Sequence, residues 1–296
     1  MIFKNKILSP LLEIQSRFMG KVGWVKIEDY YPHKSCRRYG GIVPQHARIE
    51  SILAAQSGEY EKRIKEFTSF MDQFLTIPIS SSFAASAKEP VWNNGFFPAF
   101  DAISLFGFIS TLKPRTYFEI GSGHSTRIAA KAKALNSPST RIISLDPFPR
   151  AEIDELCDEV IRKPLEECDL SVFDELSDND ILFFDGSHRV LQNSDTEVFF
   201  FDILPRLKRN VYIHLHDIYW PFDYPDEWAQ RMYSEQYVLG GLLLYAWESF
   251  EIILPNVYIT WCTKLLDHFR ELWEAPGLKG IGKEGVSFWF KKRVDY

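Results

Sequence analysis

TYFEIGSGHST, residues 116–126, is the stretch whose reading decides the fold. Tyr117, Phe118 and Ile120 read as a buried strand, with Glu119 near its end. Gly121-Ser122-Gly123 forces a tight turn. From Ser125 to Leu135 the pattern is helical, with Ile128, Ala129, Ala132 and Leu135 on one face. A strand, a glycine turn and a helix start bring several free backbone N–H groups to one point, where the missing Cβ atoms let a ligand approach the main chain.

Working outward, RIISL (141–145) is a short apolar strand that ends on Asp146, 25 positions after Gly121. An acid at the end of the second strand of a βαβ unit suits a ribose diol, because a carboxylate accepts two O–H hydrogen bonds. Glu119 is a second acid beside the turn. A dinucleotide turn would carry a third glycine where this chain has Thr126, and no Lys-Ser/Thr pair is present for a phosphate loop.

Further along, ILFF (181–184) has the composition of a fully buried parallel strand and runs into Asp185-Gly186-Ser187-His188. Val211 to Leu215 is the next strand and runs into His216-Asp217. Period-two alternation puts His214 and His216 on one side and Asp217 on the other. Phe250 to Pro255 and Val286 to Lys291 read as two late strands. The βαβ alternation implies a parallel, doubly wound sheet.

The wording FEIGSGHST, SLDPFPR, FFDGSH and HLHDIYWPFDYP, in that order, resembles class I S-adenosylmethionine (SAM)-dependent methyltransferases, in particular a bacterial subfamily of the methyltransferase-24 type. The resemblance runs from about Trp92 to Tyr296. It implies an α/β, mostly parallel Rossmann-like sheet with an antiparallel late strand, and SAM held by Glu119, Gly121, Ser122, Gly123, Ser125, Asp146 and Asp185. It also places the loop Pro164-Leu165-Glu166 beside the adenine.

In open α/β sheets ligands lie beyond the carboxyl ends of the strands, so the four polar strand ends are expected at one edge. Methyl transfer from a sulfonium requires the protein to orient two reactants and to deprotonate a weak nucleophile, and an imidazole suits that near neutral pH. His188 and His216 are the candidate bases, with Asp185 and Asp217 beside them. His214 is expected to be buried and hydrogen-bonded, and His124 to shape the turn. Related O-methyltransferases hold a divalent ion on acids at these two strand ends. Here Ser187 and Ile218 withhold further ligands, and the metal-free alternative is preferred, because imidazole already supplies a base.

The chain has 296 residues, 46% hydrophobic and 25% charged, enough for one large domain with an appendage. A net charge of −6 gives no polyanion-binding signature, which disfavours nucleic acid as a partner. Four scattered cysteines without a C-x-x-C pair fit a reduced, cytoplasmic protein. The N-terminus is too broken for a signal peptide, and no membrane span is expected. Residues 1–87 read as an N-terminal helical extension, suited to pack on the main domain or to pair with a second subunit, and 88–296 as the catalytic domain. The helix from about Ala99 to Leu112 is apolar nearly all round and must be buried. An acidic helix is expected from about Ile153. The aromatic loop from Tyr219 to Trp228 reads as a lid. The expected activity is O-methylation of a small-molecule or glycan hydroxyl. The alternatives are an NAD(P)-dependent oxidoreductase and a SAM-binding protein without catalysis.

Overall fold

The computed structural model describes residues 36–149 and 151–295. Residues 1–35 lie outside the described residues, so expectations for that part of the N-terminal extension fall outside them too. Seven strands form one sheet in the order β3-β2-β1-β4-β5-β7-β6. They are β1 (Thr116–Ile120), β2 (Arg141–Leu145), β3 (Glu159–Ile161), β4 (Ile181–Phe184), β5 (Tyr212–Leu215), β6 (Phe250–Pro255) and β7 (Phe288–Lys292). The first five run parallel, and β7 pairs antiparallel with both β5 and β6. This is the mostly parallel Rossmann-like sheet with an antiparallel late strand.

The helices that precede the sheet are α1 (Ala47–Ala54), α2 (Ser57–Phe67) and α3 (Met71–Leu75). Their apolar faces, including Leu53, Ile64 and Phe74, join the same core as the sheet. α4 (Ala99–Leu112) is buried along almost its whole length, as its all-round apolarity requires. Gly107 in α4 makes room for α2: a Cβ there would sit 2.4 Å from the Phe67 ring, which packs edge-on against Phe108 at 5.0 Å.

α5 (His124–Asn136) follows the glycine turn and packs against α4. Leu135, expected on its buried face, is 51% exposed, since the helix is leaving the core by its last turn. The helix expected from about Ile153 is only a 3-10 turn, Asp154–Leu156, because three residues of acid-rich sequence offer no apolar stripe to bury. After β4 come α6 (Asp195–Val198), a π-helical turn Phe199–Ile203 and α7 (Leu204–Arg206). α8 (Glu235–Tyr245), α9 (Asn256–Cys262) and α10 (Arg270–Glu274) complete the described helices. Among the described residues no helix is long and apolar enough to cross a membrane.

The register fixes the site. Leu145, Ile120, Phe184, Leu215 and Phe288 lie in one row across the sheet. One residue further along each parallel strand stand Asp146, Gly121, Asp185 and His216. Their backbone N–H groups continue the ladder: Gly121 to Leu145, Asp185 to Ile120 and His216 to Phe184, at 3.0, 2.9 and 3.1 Å. Two carboxylates, a glycine turn and an imidazole thus reach one edge at one height.

Candidate active site

The glycine turn is built from beneath. Gly121 has φ +82°, and a Cβ on it would lie 2.0 Å from the carbonyl oxygen of Asp185, so only glycine fits this turn. Ser122 N–H donates to Asp146 Oδ2 at 2.8 Å, and Phe148 N–H to Asp146 Oδ1 at 2.7 Å. Glu119 lies under the turn with no exposure, accepting from Tyr117 Oη at 2.9 Å and from Thr126 Oγ1. Thr126 Oγ1 in turn accepts from Gly123 N–H at 3.0 Å. The position that lacks the dinucleotide glycine is therefore a strut between acid and turn. Burial pushes the Glu119 carboxyl up to about 7, although Ser125, Thr126 and Tyr117 all donate to it.

Two cavities open along this edge. One, of about 420 Å³, is lined by Gly121, Ser122, Asp146, Pro164, Leu165 and Asp185 among others. Glu119 and Ser125 do not line it; they support its floor. The other, of about 810 Å³, is lined by Asp185, His188, His216 and Asp217, by the aromatic residues Tyr219, Trp228 and Tyr233, and by part of the loop 92–98. Asp185 is the one residue common to both linings among the described residues.

The larger cavity holds a dense cluster of acids and imidazoles. Asp185 Oδ1 is 3.1 Å from His188 Nε2 and 3.6 Å from His216 Nδ1. Asp217 lies 3.6 Å from His188 Nε2 and 3.4 Å from His216 Nδ1. Alternation had put Asp217 opposite His216. The structure brings both to the same place, because β5 ends at Leu215 and Asp217 adopts φ +56°, which ends the period-two pattern. Behind His216, at 3.3 Å from Nε2, is Asp101 of α4; behind His188 Nδ1 is Glu235 of α8.

Burial alone would raise Asp185, yet His216 and His188 hold its carboxyl well below the usual range. Burial raises Asp217 and Glu235, against the pull of the same imidazoles. Both histidines are held well above their ordinary value against the effect of burial, His188 chiefly by the Glu235 charge and His216 chiefly by Asp217 and Asp185. Negative charge therefore concentrates on Asp185, at the junction of the two cavities.

His216 Nδ1 and Nε2 have no hydrogen-bond partner despite the nearby carboxylates. One donor atom each from Asp185, His216 and Asp217 lies within 4.8 Å of the others, a mixed oxygen and nitrogen set of the kind that fits a divalent ion.

His214 is fully buried, hydrogen-bonded through Nε2 to Ser287 Oγ at 2.6 Å and stacked on Trp289 at 3.9 Å between ring centres, and burial holds it well below its ordinary value. His124 stacks on Phe96 at 5.7 Å, which ties the turn to the 92–98 loop. Asn94 organises that loop from within, accepting from Phe96 and Phe97 N–H at 3.0 and 2.7 Å. The aromatic loop divides: Trp220 is 4% exposed and donates to the Gln236 carbonyl, so it fills the core, whereas Tyr219 and Trp228 wall the cavity.

Sequence reading missed Asp101 and Glu235. For Asp101 a signal existed, since a lone acid in a helix that reads as buried all round must have partners. It accepts from Val286 N–H, Ser287 N–H and Asn256 Nδ2. Glu235 gives no such signal, because an acid in the first turn of a helix is ordinary.

Residues 118–218 match a family model described as a methyltransferase domain. A curated relative, an uncharacterized protein of Archaeoglobus fulgidus, is 35% identical over 93 residues, which is 29% of this chain and 42% of that protein. Among solved structures, the SAH-bound methyltransferase PaMTH1 of Podospora anserina has 14% identity over 63% of this chain and 81% of its own, with a TM-score of 0.37. An O-methyltransferase from Bacillus cereus in complex with SAH has 15% identity over 85% and 93%, with a TM-score of 0.38. The matched segment contains the glycine turn and every acid- or histidine-tipped strand end from Glu119 to Asp217, and it is this segment that is similar to the methyltransferase domain.

Proposed function

We propose that this chain is a SAM-dependent O-methyltransferase acting on a hydroxyl of a small molecule or glycan, in the cytoplasm. The observation that carries the reading is the pair of cavities meeting at Asp185, one with a glycine cradle and a ribose-suited acid, the other with two imidazoles among carboxylates. Gly121 and Ser122 would lie against the cofactor, Asp146 would accept from its ribose hydroxyls, and Pro164 and Leu165 would flank its base. Glu119, Gly123 and Ser125 would act on it through the shape of the turn. When bound, SAM supplies an electrophilic sulfonium methyl group. The protein's part is to align an acceptor hydroxyl with that methyl, exclude water behind Tyr219, Trp228 and Tyr233, and take the hydroxyl proton on His188 or His216. Asp185 and Asp217 orient those rings.

The donor set of Asp185, His216 and Asp217 supports a second form of the same reading, in which these three hold a divalent ion that would lower the pKa of the acceptor hydroxyl. Turnover in excess chelator, followed by re-addition of single ions, separates the two forms.

The test of the main reading is calorimetry with SAM against NAD, followed by transfer of an isotopically labelled methyl group into a panel of hydroxylated metabolites and glycans. Binding of SAM and not NAD, with label appearing in an acceptor, is expected. Binding of NAD alone would replace the reading with an oxidoreductase. SAM binding without transfer to any acceptor would leave a non-catalytic SAM-binding protein. The helices α1–α3 add no group to either cavity lining, and their apolar faces pack into the core of the domain.

A further inference from the structure

Glu235 is a fully buried carboxylate that the scheme above does not use. Its Oε1 meets His188 Nδ1, and its Oε2 has no hydrogen-bond partner. A buried carboxylate without solvent or a second donor is costly, and a neutral side chain at the start of α8 would avoid that cost. The imidazole of His188 is the counter-group that offsets it.

The segment around Glu235 grips His188 from several sides. Ser234 and Glu235 N–H both donate to the His188 carbonyl, at 2.8 and 3.3 Å. Ser234 Oγ accepts from Val190 N–H at 2.9 Å, and the Tyr233 ring lies 4.4 Å from the His188 ring. His188 itself sits at φ +61°, a conformation uncommon for a residue with a side chain, so the surrounding contacts fix it there.

His216 is held differently. Asp101 is already committed to Val286 N–H, Ser287 N–H and Asn256 Nδ2, and its approach to His216 Nε2 lacks hydrogen-bond geometry. The two histidines are thus unequal. One has a dedicated carboxylate on Nδ1, which leaves Nε2 toward Asp185 and the cavity; the other has no fixed hydrogen bond at either nitrogen.

We infer that Glu235 is the positioning carboxylate of the reaction, and that through it His188, not His216, exchanges the proton with the acceptor. Glu235 takes the Nδ1–H of His188, which fixes the tautomer and the ring plane. The acceptor O–H proton passes to Nε2 of the neutral His188 ring, the form whose only ring proton is on Nδ1. The oxygen forms its new bond to the methyl carbon of the sulfonium donor, and the electron pair of the broken carbon–sulfur bond returns to sulfur. This assignment rests on the methyl-transfer reading for its chemistry and on the hydrogen bonding of Glu235 for its geometry.

The experiment uses the full chain with ¹⁵N-labelled histidine and long-range proton–nitrogen NMR, with His188 assigned through His188→Gln. Wild type is expected to show a protonated Nδ1 on His188, and Glu235→Leu to lose that signature while SAM affinity stays within about twofold. With an acceptor in hand, kcat of Glu235→Leu should fall by about 10²-fold or more with KM for SAM unchanged. Glu235→Gln keeps an acceptor oxygen and should recover at least about tenfold of that loss. An unchanged His188 resonance in Glu235→Leu, or wild-type kcat, overturns the inference. Should the Leu variant fail to fold, Glu235→Gln decides: a shifted Nδ1–H resonance supports the inference, and a wild-type resonance overturns it. If no acceptor is methylated, the methyl-transfer reading fails on its own, while the NMR arm still reports on Glu235.

Discussion

The two cavities that meet at Asp185 are built in opposite ways. The smaller one is made from one continuous grammar: strand, glycine turn, helix, strand, acid. Its cradle and its ribose-suited acid lie between Glu119 and Asp146 and support one another locally, with Pro164, Leu165 and Asp185 closing the other sides. The larger one is assembled from remote pieces: Asp101 from α4, Asp185 and His188 after β4, His216 and Asp217 after β5, and Glu235 from α8. The first needs a backbone shape, which few residue types permit. The second needs charges balanced against one another in a buried space, which long-range packing decides. A scaffold of this kind can keep one ligand constant and let the other vary.

The sharpest way to break the comparison is to remove chemistry on one side and look for an effect on the other. His188→Ala should lower turnover by about 10²–10⁴-fold while SAM affinity changes by less than about twofold, because His188 lines only the larger cavity. Turnover with the labelled methyl donor and calorimetry on the same preparation check both halves. Wild-type turnover, or a parallel loss of SAM affinity, would mean that the cavities are not separable as described.

The contrast also shows how far the sequence was legible. The parallel sheet and the buried α4 follow from strand composition, strand–helix alternation and helix apolarity, which are local or periodic signals, whereas the antiparallel late strand was expected only from the resemblance. The Gly121 turn was legible because a tight turn against a neighbouring strand excludes a Cβ, and the structure shows that strand to be the one ending in Asp185. Asp217 was misplaced because alternation was extended two residues past the strand end. Trp220 was read as part of a lid because prolines mark irregular structure without saying which side chains turn inward. Glu235 was invisible because its significance depends on His188, 47 positions away, and no local pattern encodes that meeting.

The next prediction concerns the support beneath the smaller cavity. Glu119 ionises at about 7 in the folded protein against 4.5 in an unperturbed chain, mainly because burial penalises its charge. Between those values the folded state keeps a proton that the unfolded state has released. The favourable contribution is therefore complete below pH 4.5 and is lost as pH rises to about 7, by about 3 kcal/mol. Glu119→Gln should remove this dependence. Urea unfolding midpoints between pH 4.5 and 8 check it: the wild-type midpoint should fall more steeply with pH than that of the variant. Equal slopes would show that Glu119 ionises at an ordinary pH.

The smallest effect is expected where the smaller cavity touches its ligand directly. Asp146 has both carboxylate oxygens engaged by backbone N–H groups, Oδ2 by Ser122 and Oδ1 by Phe148. Each oxygen keeps a further lone pair that can accept from a ribose hydroxyl, so the backbone contacts aim the carboxylate without exhausting it. Asp146→Ala removes both the charge-assisted acceptors and the aim, and should weaken SAM binding by about 1.5–3 kcal/mol. Asp146→Asn keeps one acceptor oxygen and should lose less. Neither variant should alter the His188 Nδ1–H resonance, because Asp146 does not line the larger cavity. Calorimetric titration with SAM ranks the three proteins. If Asp146→Ala binds SAM as tightly as wild type, the ribose does not sit at this acid, and the smaller cavity holds some other ligand or holds SAM the other way round.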